Sequence, residues 1–141
     1  MIEVSFDGAA SGNPGLAGGG LYIKLNGGRE ERQTFPLGIL SSNHEAEFAA
    51  LVAALRFCLK RGYLSVSFRT DSQLVNQALE KRYVKKDIYN RYLREALELI
   101  KQFELFFCKW IPDRQNVNAD SLARLAIREQ QVSPDRECDH Q

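Results

Sequence analysis

The sequence predicts a single α/β domain in which helices pack on the faces of a mixed sheet. Three observations predict it: a length of 141 residues, three consecutive strand-like segments at the N-terminus, and two later strand-like segments separated by helical ones. A chain of this length can bury one hydrophobic core. A run of strands followed by alternating helices and strands is typical of a mixed sheet covered by helices.

The N-terminal third predicts an antiparallel meander. Residues 2–7 (IEVSFD) alternate apolar and polar side chains, as strands do. A second strand is expected over residues 16–25, although it contains three consecutive glycines, and the Asn26-Gly27 dipeptide after it is a strong hairpin signal. A third strand is expected over residues 29–40, where Pro36 favours an edge position.

The rest of the chain alternates helices and strands. Ser42 and Glu45 have the spacing of a capping box, in which Glu45 reaches back to the Ser42 backbone, and Gly62 ends the helix that they begin. Strands are predicted over residues 65–70 and 104–111, and helices over 73–82, 88–103 and 118–130. We expect a domain of residues 1–130 and, from the polar and aperiodic composition of residues 131–141, a disordered tail.

Charge and cysteine content narrow the class of protein. The net charge of +1 gives no overall basic field, so a polyanion would have to bind through local patches. Cys58, Cys108 and Cys138 lack metal-ligand spacing. Cys58 and Cys108 lie in apolar runs and are expected to be reduced core residues, which favours a cytoplasmic location. There is no basic-then-apolar leader and no run of about 18 apolar residues, so we expect neither secretion nor membrane insertion.

Two aspartates follow predicted strands. Asp7 ends the first strand and Asp71 the fourth, and sites in α/β sheets gather at the carboxyl ends of strands. If these strands are parallel neighbours, the two carboxylates meet and repel each other unless a cation lies between them. Carboxylate oxygens suit Mg²⁺ or Mn²⁺. The alternative is that each aspartate caps a turn.

Two further acids lie on helices. Glu45 has a structural task in the capping box, whereas Glu47 has no local task on an alanine-rich helix that is apolar almost all round, so Glu47 is the candidate ligand. Asp120 lies near the start of the last helix, where favourable interaction with the helix dipole is the simpler explanation. The small residues of the loop from Gly12 to Gly15 would let a polyanion approach the backbone, although a turn before a hairpin explains them equally.

The candidate residues lie in four motifs that follow one another along the chain: DGAASGNPG, NHEAEFAAL, TDSQLV and NVNADSLARLA. Together they resemble type 1 ribonuclease H over about residues 1–128. The resemblance implies the ribonuclease H-like fold, a five-stranded mixed sheet of three antiparallel strands and then two parallel ones, with helices on both faces. It also implies an endonuclease that hydrolyses the RNA strand of RNA–DNA hybrids.

The resemblance assigns roles residue by residue. Asp7, Glu47, Asp71 and Asp120 match the four carboxylates that hold two Mg²⁺ ions, with Mn²⁺ as a substitute, and Asp7 bridges the ions. The products would carry 5′-phosphate and 3′-hydroxyl ends. The expected substrate contacts, including amides that recognise 2′-hydroxyl groups, are Gly12, Asn13, Asn43, Gln73, Arg114, Lys81 and Lys85.

This chain departs from the family pattern in two places. The loop before Asp120 has no histidine, and Arg114 matches another branch of the family. The long basic insertion of some members is reduced to a cluster of residues 81–86 that includes Tyr83, for which a solvated helix end is the alternative. A catalytically weak or inactive hybrid-binding protein and a related nuclease acting on other nucleic acids therefore remain as alternatives. We expect a monomer with no obligate protein partner.

Overall fold

A computed structural model describes the backbone of residues 1–139 and the side chains of residues 1–131. Its five-stranded sheet has the order β3-β2-β1-β4-β5. The strands are β1 (Ile2–Ala10), β2 (Gly15–Lys24), β3 (Glu30–Leu40), β4 (Ser65–Thr70) and β5 (Leu105–Trp110). The first three strands pair antiparallel, and β4 pairs parallel with both β1 and β5. The predicted mixed sheet is confirmed, with β3, which contains Pro36, at an edge.

The helices are α1 (Asn43–Arg61), α2 (Gln73–Lys81), α3 (Asp87–Ile100) and α4 (Val117–Asp139), and a 3₁₀ turn spans Asp113–Gln115. Helix α4 is longer than predicted, because residues 131–139 continue it into the segment expected to be a disordered tail. Extending an existing helix requires no new nucleation step, so a polar segment can become helical when it continues a helix that already packs on the sheet. Residues 140–141 lie outside the described part of the chain, and the domain boundary at residue 130 stays a prediction.

The two faces of the sheet carry different helices. On one face, Val4 and Phe6 of β1 belong to a large apolar cluster with residues of α1 and α3. On the other face, Ala9 packs with Ala123 and Ile127 of α4 in a smaller cluster. Alternate side chains of a strand point to opposite faces, so Glu3, Ser5 and Asp7 lie on the α4 face.

Glycines in β1 and β2 allow both helices to approach the sheet closely. A Cβ atom on Gly8 would overlap the Ala46 carbonyl oxygen of α1, and one on Gly20 would overlap the Ala119 carbonyl oxygen of α4. The glycines that weaken the strand pattern are therefore contact points for helix backbones.

The structure describes two of the three cysteine side chains and the length and polarity of the helices. Cys58 is buried and Cys108 partly buried, and both are free thiols, as expected of reduced residues; the side chain of Cys138 lies outside the described residues. Within the part of the chain that the structure describes, no helix has the length and apolar character needed to cross a membrane.

Candidate active site

Asp7 and Asp71 lie side by side at the β1–β4 pair. Ser5 of β1 is opposite Arg69 of β4 in parallel register, and each aspartate follows two residues later in its strand direction. Asp7 does not end its strand as predicted, because β1 continues to Ala10 through pairing with β2. Asp7 thus projects from the middle of a strand, and Asp71 from the loop directly after one.

Helix α1 brings a third carboxylate to this edge. One oxygen each from Asp7, Glu47 and Asp71 lie within 4.8 Å of one another. Glu47 reaches this position because Gly8 lets the first turn of α1 rest on β1. Residues far apart in sequence therefore form one acidic cluster.

Glu45 and Glu47 have the separate environments that the sequence predicted. The Ser41 backbone N–H donates to Glu45 Oε1 at 2.7 Å, and the Tyr92 hydroxyl donates to Oε2 at 2.7 Å. Ser42 caps α1 by accepting from the Glu45 N–H. Glu45 reaches Ser41, not Ser42 as the capping-box prediction required, but its role is structural.

Asp120 lies beside the cluster of three carboxylates, at the start of α4. Its Oδ2 accepts from Arg124 Nε at 3.2 Å, one turn farther along the helix, and its side chain is 40% exposed. Its charge nevertheless reaches the cluster, since it raises the pKa values of both Asp7 and Asp71.

Burial and mutual repulsion make the cluster difficult to ionise. Burial, followed by the charge of Asp71 and then by the hydrogen bond and charge of Asp120, raises the pKa of Asp7 to about 9. Burial also raises the pKa of Glu47, against the lowering effect of hydrogen bonds from Ser72 and His44. Burial raises the pKa of Asp71 as well, although a hydrogen bond from Asn116 opposes it. A cation among the carboxylates would relieve this repulsion.

The donor set fits a hard divalent metal. Carboxylate oxygens of Asp7, Glu47 and Asp71 converge, and Asp120 lies beside this cluster, where it raises the pKa of Asp7. Mg²⁺ and Mn²⁺ prefer oxygen ligands of this type. Asp7, Glu47 and Asp71 are therefore the residues that could hold such an ion, and the role of Asp120 as a further ligand stays a prediction.

Sequence reasoning missed the residues that fix the carboxylates. Asn116 is 2% exposed, and its Nδ2 donates to the Phe6 carbonyl at 3.0 Å and to Asp71 Oδ2 at 3.2 Å. Trp110 Nε1 donates to the Asp71 carbonyl at 3.1 Å. His44 Nδ1 lies 3.6 Å from Glu47 Oε2. The available signal was position: Asn116 stands directly before the first residue of a helix, and Trp110 ends the strand beside the Asp71 strand.

The predicted substrate contacts divide into those near the carboxylates and those apart from them. Asn43 Oδ1 accepts from the Ala10 N–H at 2.7 Å and so joins the end of β1 to α1. Arg114 lines a cleft of about 340 Å³ together with Asp71 and Asp120. The exposed residue Gln73 borders a different cleft beside Trp110.

The loop and the basic cluster are less closely tied to the carboxylates. Gly12 and the exposed residue Asn13 lie in the bend between β1 and β2. Lys81 and Lys85 line a separate cleft of about 170 Å³ with Tyr83, which is 62% exposed. Their role in binding stays a prediction.

Comparisons with known proteins match most of this chain. The family model described as "Reverse transcriptase-like" matches residues 5–126. The protein EbsB of Enterococcus faecalis, whose name assigns it only to the hydrolases, is 40% identical over 130 residues, which are 91% of this chain and 95% of EbsB. Ribonuclease HI of Halobacterium salinarum is 34% identical over 128 residues, which are 89% of this chain and 64% of that protein.

Solved structures of ribonucleases H superimpose on this chain. A crystal structure of RNase H1 from Halobacterium salinarum superimposes with a TM-score of 0.84 at 32% identity, covering 91% of this chain and 98% of that one. LC11-RNase H1, solved in complex with an RNA/DNA hybrid, superimposes with a TM-score of 0.84 at 27% identity, covering 93% of this chain and 99% of that one. The matches in sequence and fold agree with the resemblance found from the four motifs, and the chain belongs to the ribonuclease H family of hydrolases.

Proposed function

We propose that this protein is an endoribonuclease that hydrolyses the RNA strand of RNA–DNA hybrids with two Mg²⁺ ions, leaving 5′-phosphate and 3′-hydroxyl ends. The observation that carries the proposal is the convergence of Asp7, Glu47 and Asp71 within 4.8 Å from three separate elements. Related ribonucleases H and a relative solved on a hybrid support the choice of substrate.

The carboxylates have distinct tasks in this proposal. Asp7, the most buried of the four, would hold the ions together with Glu47, Asp71 and Asp120. Bound Mg²⁺ lowers the pKa of a water and offsets charge on the scissile phosphate. Asn116 holds the Asp71 carboxylate in place, and Arg124 holds Asp120 at the edge of the cleft.

Polar side chains around the carboxylates would position the hybrid. Because Asn43 Oδ1 is engaged by Ala10, its amide nitrogen is the group left to donate to a 2′-hydroxyl. Asn13 and Gln73 are exposed amides, and Arg114 lies in the cleft where it would contact a phosphate. Gly12 would allow close backbone approach, and Lys81 and Lys85 would add phosphate contacts that weaken with salt. We further propose a cytoplasmic monomer.

The test is cleavage of an end-labelled RNA–DNA hybrid beside matched duplex DNA and duplex RNA, with Mg²⁺, Mn²⁺ or EDTA. The proposal requires metal-dependent cutting of the RNA strand of the hybrid alone. Asp71→Asn should lose at least about 10²-fold in rate while keeping the wild-type circular dichroism spectrum, because an amide is a poor metal ligand. Glu104→Gln, which removes an exposed carboxylate before β5, serves as the matched control.

Two other results would point to different functions. Binding of hybrid in a gel shift without cutting under any metal would indicate a binding protein that has lost turnover. Metal-dependent cutting of duplex DNA or duplex RNA would indicate a related nuclease with another substrate. Wild-type activity in Asp71→Asn would place the active site elsewhere.

A further inference from the structure

His44 lies beside the candidate metal ligand Glu47, on the first turn of α1. Residues three apart on a helix are neighbours on its surface, and here His44 Nδ1 lies 3.6 Å from Glu47 Oε2. This separation is slightly longer than a hydrogen bond, so a small rotation of the imidazole brings the two atoms within hydrogen-bond distance. The Glu47 side chain is 18% exposed and the His44 side chain 60% exposed, so the imidazole lies on the more open side of a largely buried carboxylate.

The backbone of His44 is held on both sides. Asn43 Oδ1 accepts from the Ala10 N–H at 2.7 Å and so ties the start of α1 to β1. Glu45 Oε2 accepts from the Tyr92 hydroxyl of α3 at 2.7 Å. Because both neighbours are anchored, His44 has little freedom beyond the rotation of its own side chain.

The imidazole also rests against a fixed aromatic ring. His44 and Tyr89 meet edge to face, with ring centroids 6.3 Å apart and an interplanar angle of 74°. Tyr89 is buried and stacks on Phe48 with ring centroids 5.2 Å apart, and the Lys86 ammonium lies 5.7 Å from the Tyr89 ring. Contact with an immobile ring restricts the rotamers that are open to the imidazole.

Glu47 has a second donor on a different element. The Ser72 hydroxyl accepts from the Val75 N–H at 3.1 Å, and its one hydrogen remains for the Glu47 carboxylate. Ser72 precedes α2 whereas His44 lies on α1, so two separate elements contact the same carboxylate. A carboxylate has about four lone-pair sites, so two donors leave sites open for an ion.

We infer that His44 is a positioning residue: its Nδ1 donates to Glu47 and, together with Ser72, fixes the carboxylate in the orientation that binds an ion. The inference rests on the proposed function, because Glu47 has this task only in a metal centre. Hydrogen-bond partners of ligating carboxylates restrict the rotation of those carboxylates, and removing a partner costs roughly 10–100-fold in metal affinity or activity. Removing the imidazole should therefore weaken metal binding without disturbing the fold.

The test is a titration of the full chain with Mn²⁺ in the absence of nucleic acid, with free Mn²⁺ measured by electron paramagnetic resonance. His44→Ala should weaken Mn²⁺ binding at least about 10-fold. His44→Asn should restore most of the affinity, because its amide nitrogen is the same number of bonds from the backbone as Nδ1. Lys60→Ala, which removes an exposed cation at the other end of α1, is the matched control and should bind Mn²⁺ as the wild type does.

Two further measurements separate positioning from a structural role. The melting temperature of His44→Ala in EDTA should be at least that of the wild type, because a partly exposed contact adds little to folding. In the hybrid cleavage assay, a higher Mg²⁺ concentration should restore the rate of His44→Ala, because this variant loses metal affinity and keeps every carboxylate ligand.

Three results would overturn the inference. Wild-type Mn²⁺ affinity in His44→Ala would show that Glu47 needs no donor from α1. Equal losses in His44→Asn and His44→Ala would show that donation from the Nδ1 position is not what matters. A lower melting temperature of His44→Ala in EDTA would assign the imidazole to the fold. Failure of the proposed function has a different signature, since the wild type itself would then bind no Mn²⁺ and both proposals would fall.

Discussion

Replacing Asp7 with asparagine should stabilise the metal-free protein while abolishing cleavage. Burial and the neighbouring carboxylates raise the pKa of Asp7 from its ordinary value of 3.8 to about 9. Between these values the folded chain holds a proton that the unfolded chain releases, so the free energy of unfolding falls as the pH rises from about 4 to about 9. An asparagine needs no proton and can still accept from the Gly8 N–H.

The size of this effect follows from the interval between the two pKa values. At about 1.4 kcal/mol per pH unit, the interval from 3.8 to 7 sets an upper limit of about 4 kcal/mol at neutral pH. Asp71 and Glu47 also titrate with raised pKa values and share the effect, so we expect Asp7→Asn to gain about 2 kcal/mol at pH 7. The gain should vanish near pH 4 and be larger at pH 8.5.

The assay is urea unfolding in EDTA at pH 4, 5.5, 7 and 8.5, with Glu104→Gln as a control for loss of one negative charge. A variant that is no more stable than wild type at pH 8.5, or a difference that does not change with pH, would refute the reasoning. Adding Mg²⁺ should then stabilise the wild type more than the variant, since a ligand stabilises the folded state in proportion to its binding.

Two further comparisons use matched pairs of residues. Glu45→Ala should cost about 1–3 kcal/mol in thermal unfolding, because it removes two hydrogen bonds. Glu47→Gln should keep or raise the melting temperature, because burial raises the pKa of Glu47, and should lose cleavage of the hybrid. The reverse pattern would exchange the roles of the two glutamates. Gly20→Ala should destabilise the fold by about 2 kcal/mol or more, because its Cβ would overlap an α4 carbonyl oxygen. Gly19→Ala should cost less, because the nearest atom to its Cβ is the Ala50 Cβ at 3.3 Å. Equal costs in thermal unfolding would mean that α4 can move away from the sheet at little energetic cost.

Periodicity and turn chemistry were sufficient to predict the fold. The meander, the capped helix α1 and the later alternation of helices and strands all follow from local patterns, and each appears in the structure within a few residues. The end of α4 was not predictable in this way, because it depends on continuation from an anchored helix and not on an apolar stripe of its own. The extension of β1 past Asp7 likewise depends on pairing with β2, which is a non-local contact.

The candidate site was predictable where residue type alone carries the chemistry. Acids after strands suggested Asp7 and Asp71, and the capping pattern separated Glu47 from Glu45. The resemblance, and not the pattern, supplied Asp120 as a ligand. Asn116 could not be found, because its importance lies in two hydrogen bonds to residues 110 and 45 positions away, and such contacts exist only once the sheet has formed.

The contact between Gly8 and Ala46 limits how the carboxylates can be redesigned. Glu47 and Asp7 are spaced by one main chain resting on another, with no side chain between them that could be enlarged or trimmed. An engineer who wanted a wider centre for a larger ion such as Ca²⁺ could change ligand types but could not move α1 outward in small steps. Any residue larger than glycine at position 8 would shift the whole helix, and with it the core on the α1 face.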